Sequence, residues 1–180
     1  PDSVVVTVNP TPYVNNNPFS QAICSESSTN FPLTSTVPGT TFTWTTSPSS
    51  PNLSGFSDDS GPVIVQTITN SGYTIETVTY EITPTANGCD GPDSNVIATD
   101  YPTPDLANDP KDTAICSGQT TGLNLLYNVS GTQFTWTATG SSGNISGYSD
   151  NASPTTLLNQ TLVNSGYDIE TVTYMITPNA

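Results

Sequence analysis

The side chains in this chain that can do chemistry are nearly all carboxylates. Its 180 residues include fifteen Asp and Glu, a single basic residue (Lys111), no His and three Cys. Catalysis by proton transfer or nucleophilic attack needs groups that titrate or attack near neutral pH. The option left by this composition is a glycosidase-style pair of acid and base carboxylates. Asp58-Asp59 is the nearest such pair, but the matching place later in the chain reads Asp150-Asn151 and lacks the second acid. An active site repeated along small modules, and complete in only one of them, points away from an enzyme. The expectation is no catalytic residue.

Abundant oxygen donors suit calcium better than softer metals. Asp105, Asp109 and Asp112, just after Asp100, form an acidic stretch that resembles the linkers of cadherin-type arrays. They are the calcium candidates. The equivalent earlier stretch, residues 13–20, holds no acid, so an ion at every junction is not expected. No cofactor is expected, with calcium at the second junction as the alternative.

What positions these groups is an internal repeat. Cys24, Trp44, Gly55 and Asp58 recur as Cys116, Trp136, Gly147 and Asp150, each 92 residues on. Asn70-Ser71-Gly72-Tyr73, Glu76 and Val78-Thr79-Tyr80 recur 94 residues on, as Asn164-Ser165-Gly166-Tyr167, Glu170 and Val172-Thr173-Tyr174. The two-residue difference marks a loop insertion between Asp150 and Gln160. Pro1-Asp2-Ser3 matches Pro92-Asp93-Ser94, and Pro10-Thr11-Pro12 matches Pro102-Thr103-Pro104. The expected organisation is therefore three parts of a longer array. Residues 1–12 are the last strand and linker of a preceding repeat, 13–104 a complete repeat, and 105–180 a second repeat cut before its last strand.

Cys24 and Cys89 fall in one copy, and the 94-residue spacing puts the partner of Cys116 three positions beyond Ala180. On that count the odd cysteine follows from where the sequence stops, and a Cys24–Cys89 disulfide in an oxidising compartment is expected. The strand plan opposes this pairing. In a plain sandwich, the turn before the second strand and the turn after the sixth lie at opposite ends, too far apart to bond.

The formal net charge is −14. Nucleic acid and anionic membranes carry the same sign, so neither is expected as a partner. No apolar run reaches membrane-spanning length and no basic-then-apolar leader opens the chain, so direct membrane insertion is not expected. The acidity itself is read as a solubility device.

Period-two alternation of β-branched and aromatic residues dominates, with no long helical period. Strands are predicted over Thr41–Thr45, Val63–Thr69, Thr77–Thr83 and Asn95–Tyr101, with a weaker one over Asn30–Thr36. Turn signals at Pro38-Gly39, Ser54-Gly55, Ser71-Gly72 and Asn87-Gly88 separate them. Six or seven short strands in about 92 residues is the pattern of tandem immunoglobulin-like β-sandwiches, an all-β fold. Trp44 and Trp136 are the predicted core indoles, sharing a face with Phe42 and Phe134; exposed sugar-stacking rings are the functional counter-reading. Tyr80 and Tyr174 have inward parity, so each hydroxyl needs a partner, with backbone as the expectation. Gln66 and Gln160, each between inward aliphatics, are predicted to satisfy backbone groups at a sheet edge. The Pro-rich joints Pro10-Thr11-Pro12 and Pro102-Thr103-Pro104 resist collapse. At roughly 35–45 Å per sandwich, such a string gives reach.

Four stretches carry a family resemblance: Ala22-Ile23-Cys24-Ser25, Thr41-Phe42-Thr43-Trp44-Thr45, Ile64 to Asn70, and Thr77 to Cys89. They resemble the PKD-like (polycystic-kidney-disease-like) domains repeated in giant surface proteins of gliding Bacteroidetes, of the gliding-motility adhesin type. The Trp-Asp-Phe-Gly-Asp core of better-known PKD domains is absent, since Thr45-Thr46 follow Trp44, and nothing specific to that motif carries over. The resemblance implies type IX secretion, outer-membrane anchoring at the extracellular face, and gliding over a substratum. In that phylum Asp-Ser/Thr-aliphatic is an O-glycosylation pattern, which nominates Ser3 (Asp2-Ser3-Val4) and Thr113 (Asp112-Thr113-Ala114).

The expected function is therefore a structural stalk of a cell-surface adhesin. Its partners would be neighbouring repeats of the same chain and, through the whole array, a surface or polysaccharide. The alternatives are an array of carbohydrate-binding modules, or an accessory region of a secreted polysaccharide-degrading enzyme.

Overall fold

The structure is a computed structural model and describes residues 2–16 and 19–180. Pro1, Asn17 and Pro18, which enter the Pro1-Asp2-Ser3 match and the first junction, lie outside them. Two compact units divide the chain, Pro1–Thr103 and Pro104–Ala180. No helix occurs among the described residues.

Unit 1 runs through β1 (Ser20–Cys24), β2 (Ser27–Ser28), β3 (Phe31–Pro32), β4 (Thr41–Pro48), β5 (Leu53–Ser54) and β6 (Asp59–Ser60). It continues with β7 (Val63–Ile64), β8 (Thr67–Asn70), β9 (Glu76–Ala86), β10 (Cys89–Asp90) and β11 (Ser94–Tyr101). The main sheet has the order β1-β11-β9-β4-β6, with β10 folded back on β9. β1 runs parallel to β11, while the other pairs are antiparallel. The facing layer is made of short ladders, β2-β8-β5 and β3-β7.

Alternation explains the layering. Successive strand side chains point to opposite faces, so Phe42 and Trp44 of β4 turn inward while the threonines between them stay exposed. Val78, Tyr80 and Ile82 of β9, and Val96 and Ala98 of β11, are likewise fully buried. They meet Phe31, Leu53, Ile64 and Ile68 from the opposite layer in one core. Each such aliphatic side chain stabilises the unit by about 1.5–3 kcal/mol through area removed from water.

The predicted strand over Val63–Thr69 is broken in two by Thr29. Its hydroxyl accepts from Gln66 N at 3.0 Å and its amide donates to Gln66 O at 2.9 Å. These bonds take the place of regular ladder bonds at Gln66, so the pairing of β7 with β3 and of β8 with β2 is interrupted there. The predicted Asn30–Thr36 strand shrinks to Phe31–Pro32, as expected for a segment whose proline cannot donate to a ladder.

Unit 2 contains β12 (Leu123–Asn124), β13 (Gln133–Gly140), β14 (Ile145–Ser146), β15 (Asn151–Thr155), β16 (Leu157–Leu158), β17 (Val163–Asn164) and β18 (Val172–Asn179). Its main sheet is β15-β13-β18, faced by β12-β16 and β14-β17. Leu125, Phe134, Trp136 and Leu158 form its buried core, with Leu106, Leu123, Tyr174 and Ile176 packed at partial exposure. The difference from unit 1 is local. β9 is flanked by β4 and β11, whereas β18 pairs with β13 alone among the described residues. Residues 112–116, equivalent to β1, form no strand and are all exposed.

Candidate functional site

The repeated polar side chains converge on one network at the edge of the core of each unit. Gln66 bridges the two sheets. Its Oε1 accepts from Ser57 N (3.1 Å) and from the Tyr80 hydroxyl (3.1 Å), and its Nε2 donates to Ser57 O (2.8 Å). Trp44 Nε1 donates to the same Ser57 carbonyl at 3.2 Å. The second unit repeats every bond. Gln160 Oε1 accepts from Ser149 N (3.0 Å) and Tyr174 Oη (3.0 Å), its Nε2 donates to Ser149 O (2.7 Å), and Trp136 Nε1 donates to Ser149 O (3.1 Å).

Both glutamines therefore hold backbone polar groups, while each tyrosine hydroxyl finds a glutamine oxygen and not the expected backbone. Burial pushes the Tyr80 phenol up to about 12 and raises that of the less enclosed Tyr174. Both phenols are neutral donors across the physiological range. The indoles are core, with Trp44 at 5% and Trp136 at 6% exposure, which removes sugar stacking as their role. Ser57/Ser149 and Thr29/Thr121, unmarked in the sequence reading, complete the network. They also recur at 92 residues, so the repeat did carry their signal.

The rim carboxylates are similarly engaged. Asp58 Oδ1 accepts from Thr46 N (2.7 Å) and Thr46 Oγ1 (2.8 Å), and Asp150 Oδ1 from Ala138 N (2.8 Å). Asp59 accepts from Ser60 N at 2.8 Å. Glu76 accepts from Ser49 Oγ (2.5 Å) and Thr74 Oγ1 (2.9 Å), while Glu170 accepts from Ser141 Oγ. Those serine hydroxyls hold both glutamates below the ordinary carboxyl range. Asn70 and Asn164 organise identical turns: Oδ1 accepts from Gly72 N or Gly166 N, and Nδ2 donates to Thr74 O or Asp168 O. Tyr73 and Tyr167, on the same turns, stay open at 62% and 107% exposure.

Asp100 is the exception, and the sequence signalled it only as one acid among many. It lies on β11 with 0% exposure, and among the described residues neither carboxylate oxygen has a hydrogen-bond partner. Its register neighbours are Ile23 on β1 and Glu76 on β9. Burial pushes its carboxyl up to about 6, tempered by the nearby Asn70, whose Nδ2 is already held by Thr74 O. Since the folded pKa lies above the unfolded value near 3.8, this group stabilises most below about pH 4 and loses that contribution as pH rises through about 6. Asp100→Val is expected to raise the stability of unit 1 at pH 7 by on the order of 2 kcal/mol and flatten its slope between pH 4 and 7. Denaturation curves over that range check it; an unchanged slope refutes it.

Residues 21–104 and 113–180 each match the PKD-like domain family. The chain belongs to the PKD-like family. No curated protein matches it. The all-β, two-layer units are tandem PKD-like sandwiches of immunoglobulin-like type, a structural and extracellular kind of domain.

Within this PKD-like frame the expected Cys24–Cys89 bond needs correction. Cys24 lies level with Tyr101 at one end of the main sheet, while Cys89 pairs with Ala86 at the other. The length of β9 separates them, roughly 30 Å at strand rise, far beyond disulfide reach. Cys24, Cys89 and Cys116 are all free thiols. The calcium candidates are not gathered either. Asp105 Oδ1 accepts from Leu106 N at 2.7 Å, and no group of three or more acidic, His or Cys side chains is placed to hold a metal among the described residues. Ser3 and Thr113 are both exposed, and so open to modification.

Proposed function

We propose that this PKD-like pair is a spacer in a cell-surface adhesin of the gliding Bacteroidetes type. It would hold adhesive regions away from the outer membrane, with no catalytic site of its own. The observation that carries this reading is what the two repeats share. Trp44/Trp136, Gln66/Gln160, Asp58/Asp150, Glu76/Glu170 and Asn70/Asn164 all form matching internal bonds in both units. These kept residues thus serve to keep the sandwich, as a module valued for shape requires. Export by type IX secretion, O-glycans on Ser3 and Thr113, and contact with a substratum through the whole array belong to the same reading. The direct test replaces residues 13–180 in the exported protein with unrelated sandwich domains of equal number. Adhesion is expected to survive replacement and fall on simple deletion; loss of adhesion in both refutes a spacer.

One observation favours carbohydrate binding as the second reading. Tyr73 and Tyr167 recur, are exposed, and make no side-chain hydrogen bond among the described residues; rings of this kind can stack on sugars. A glycan array with the 180-residue chain is expected to show no saturable binding. Saturable binding that disappears in a Tyr73→Ala/Tyr167→Ala double variant decides for the second reading.

A further inference from the structure

One asparagine in the chain precedes a glycine, Asn87 before Gly88. In that pair a backbone amide most readily attacks a side-chain amide, because glycine has no Cβ to shield its nitrogen. The fold places the pair at the tip of a two-residue hairpin, with Ala86 opposite Cys89. Asn87 has φ +51° and Gly88 φ +75°, the two positive values of a type I′ turn. Both residues are exposed, and a Cβ on Gly88 would meet nothing within 4 Å. Gly88 N donates no hydrogen bond among the described residues. Asn87 accepts from Asn9 Nδ2 through its backbone carbonyl at 3.3 Å, while its side-chain amide makes no hydrogen bond among the described residues.

The competing places are tied down. Asn70 and Asn164 precede serines whose amides are taken, Ser71 N by Asn52 O and Ser165 N by Asn144 O, both at 3.0 Å. Their own side chains are held at both ends by the turns they organise. Asp90 also precedes a glycine. There Gly91 N donates to Pro84 O at 2.8 Å, Asp90 Oδ1 accepts from Thr85 Oγ1 at 2.6 Å, and a Cβ on Gly91 would lie 1.8 Å from Pro12 O. That backbone is closed in and its amide is occupied.

We propose that Asn87 is a self-modification site, losing its side-chain amide to the neighbouring Gly88 N. Gly88 N gives up its proton to hydroxide and bonds to Asn87 Cγ. The Cγ–Nδ2 bond breaks, Nδ2 takes up a proton and leaves as ammonia, and a cyclic imide remains. Water then opens the ring. Attack at Cγ gives aspartate, while attack at the backbone carbonyl carbon gives isoaspartate, whose main chain runs through Cβ and Cγ. No electron is exchanged; an amide and water become an acid and ammonia. Ring closure takes Asn87 out of its left-handed conformation, so the hairpin tip opens first. β10 meets β9 through two residue pairs, so this opening is local and leaves the core in place. Aspartate suits the same turn. Isoaspartate adds a backbone methylene that a two-residue loop has no room for, so β10 and its Thr85–Asp90 bond are lost. Each event also adds a negative charge near Asp90. The proposal stands on the hairpin and does not depend on the spacer role.

Incubation of the folded 180-residue chain at mildly alkaline pH tests it, run until a urea-unfolded sample has lost the Asn87 amide. The folded chain is expected to release one ammonia, with the exchange of amide for acid mapped to Asn87 and isoaspartate identified there by fragmentation mass spectrometry. Asn70 and Asn164 are expected to keep their amides, and Asp90 its ordinary linkage. An Asn87→Asp variant, which retains the turn, is expected to release no ammonia over the same time. A folded chain that still holds the Asn87 amide at that point overturns the proposal. So does a folded chain that loses the Asn70 or Asn164 amide first.

Discussion

Trp44→Ala is expected to remove about 3–5 kcal/mol from unit 1. The indole is 5% exposed and packs with Phe42, Leu53 and Ile82 in the core. An alanine leaves a cavity bounded by two sheets whose ladders resist collapse. The Nε1 bond is a minor part of the loss, since Ser57 O keeps the Gln66 Nε2 donor at 2.8 Å. Small domains are stable by about 5–15 kcal/mol, so the variant falls near the folding threshold. The chain has two tryptophans, one per unit, which makes the measurement clean. In the variant, indole fluorescence comes from Trp136 and reports unit 2, while circular dichroism follows both units. The expected result is an early dichroism transition in urea with the Trp136 transition unmoved. A loss below about 1 kcal/mol would show that the core does not rest on this ring.

Gly55→Ala is the second large effect, acting through backbone. Gly55 has φ +85°, and a Cβ there would lie 2.0 Å from the Thr67 carbonyl oxygen. The left-handed conformation alone costs an L-residue about 1–2 kcal/mol. The overlap adds more, because the atom struck is backbone of β8, paired with β5 beside the turn. A total loss of about 3 kcal/mol or more is expected. Gly147→Ala should repeat it in unit 2, where φ is +89° and the distance to Thr161 O is 2.0 Å. Gly39 separates the two causes. It has φ +77° with nothing within 4 Å of a Cβ, so Gly39→Ala should lose only the conformational part, about 1 kcal/mol. Equal melting shifts for Gly39→Ala and Gly55→Ala would show that close approach does not matter.

Where strands have long alternating runs, the sequence was a sufficient guide. Phe42 and Trp44 between threonines, and Val78, Tyr80 and Ile82 between polar residues, have one amphipathic solution as strands. The facing layer was harder, because its pieces are two to four residues long and held together by side chains. Thr29 interrupts β7 and β8 through its hydroxyl, and no periodicity encodes that. The parallel pairing of β1 with β11 was also out of reach, since it joins segments more than seventy positions apart. Cysteine counting failed for a related reason: a count of two per repeat says nothing about which end of a sheet each occupies. The Gln66–Tyr80–Trp44 network was half legible. Parity placed all three inward, but only the three-dimensional crossing of the layers shows that Ser57 is the common partner of Gln66 and Trp44, and that Tyr80 joins them through Gln66.

The parallel run of β1 beside β11 has a mechanical consequence. These are the first and last strands of unit 1, and their register extends from Ser20 opposite Ile97 to Cys24 opposite Tyr101. A pull on the two termini drags β1 backward and β11 forward along their shared axis. The hydrogen bonds between them are then loaded in shear, all at once, and do not unzip one by one. A sandwich wired this way yields to stretching at far higher force than one whose terminal strands form a hairpin.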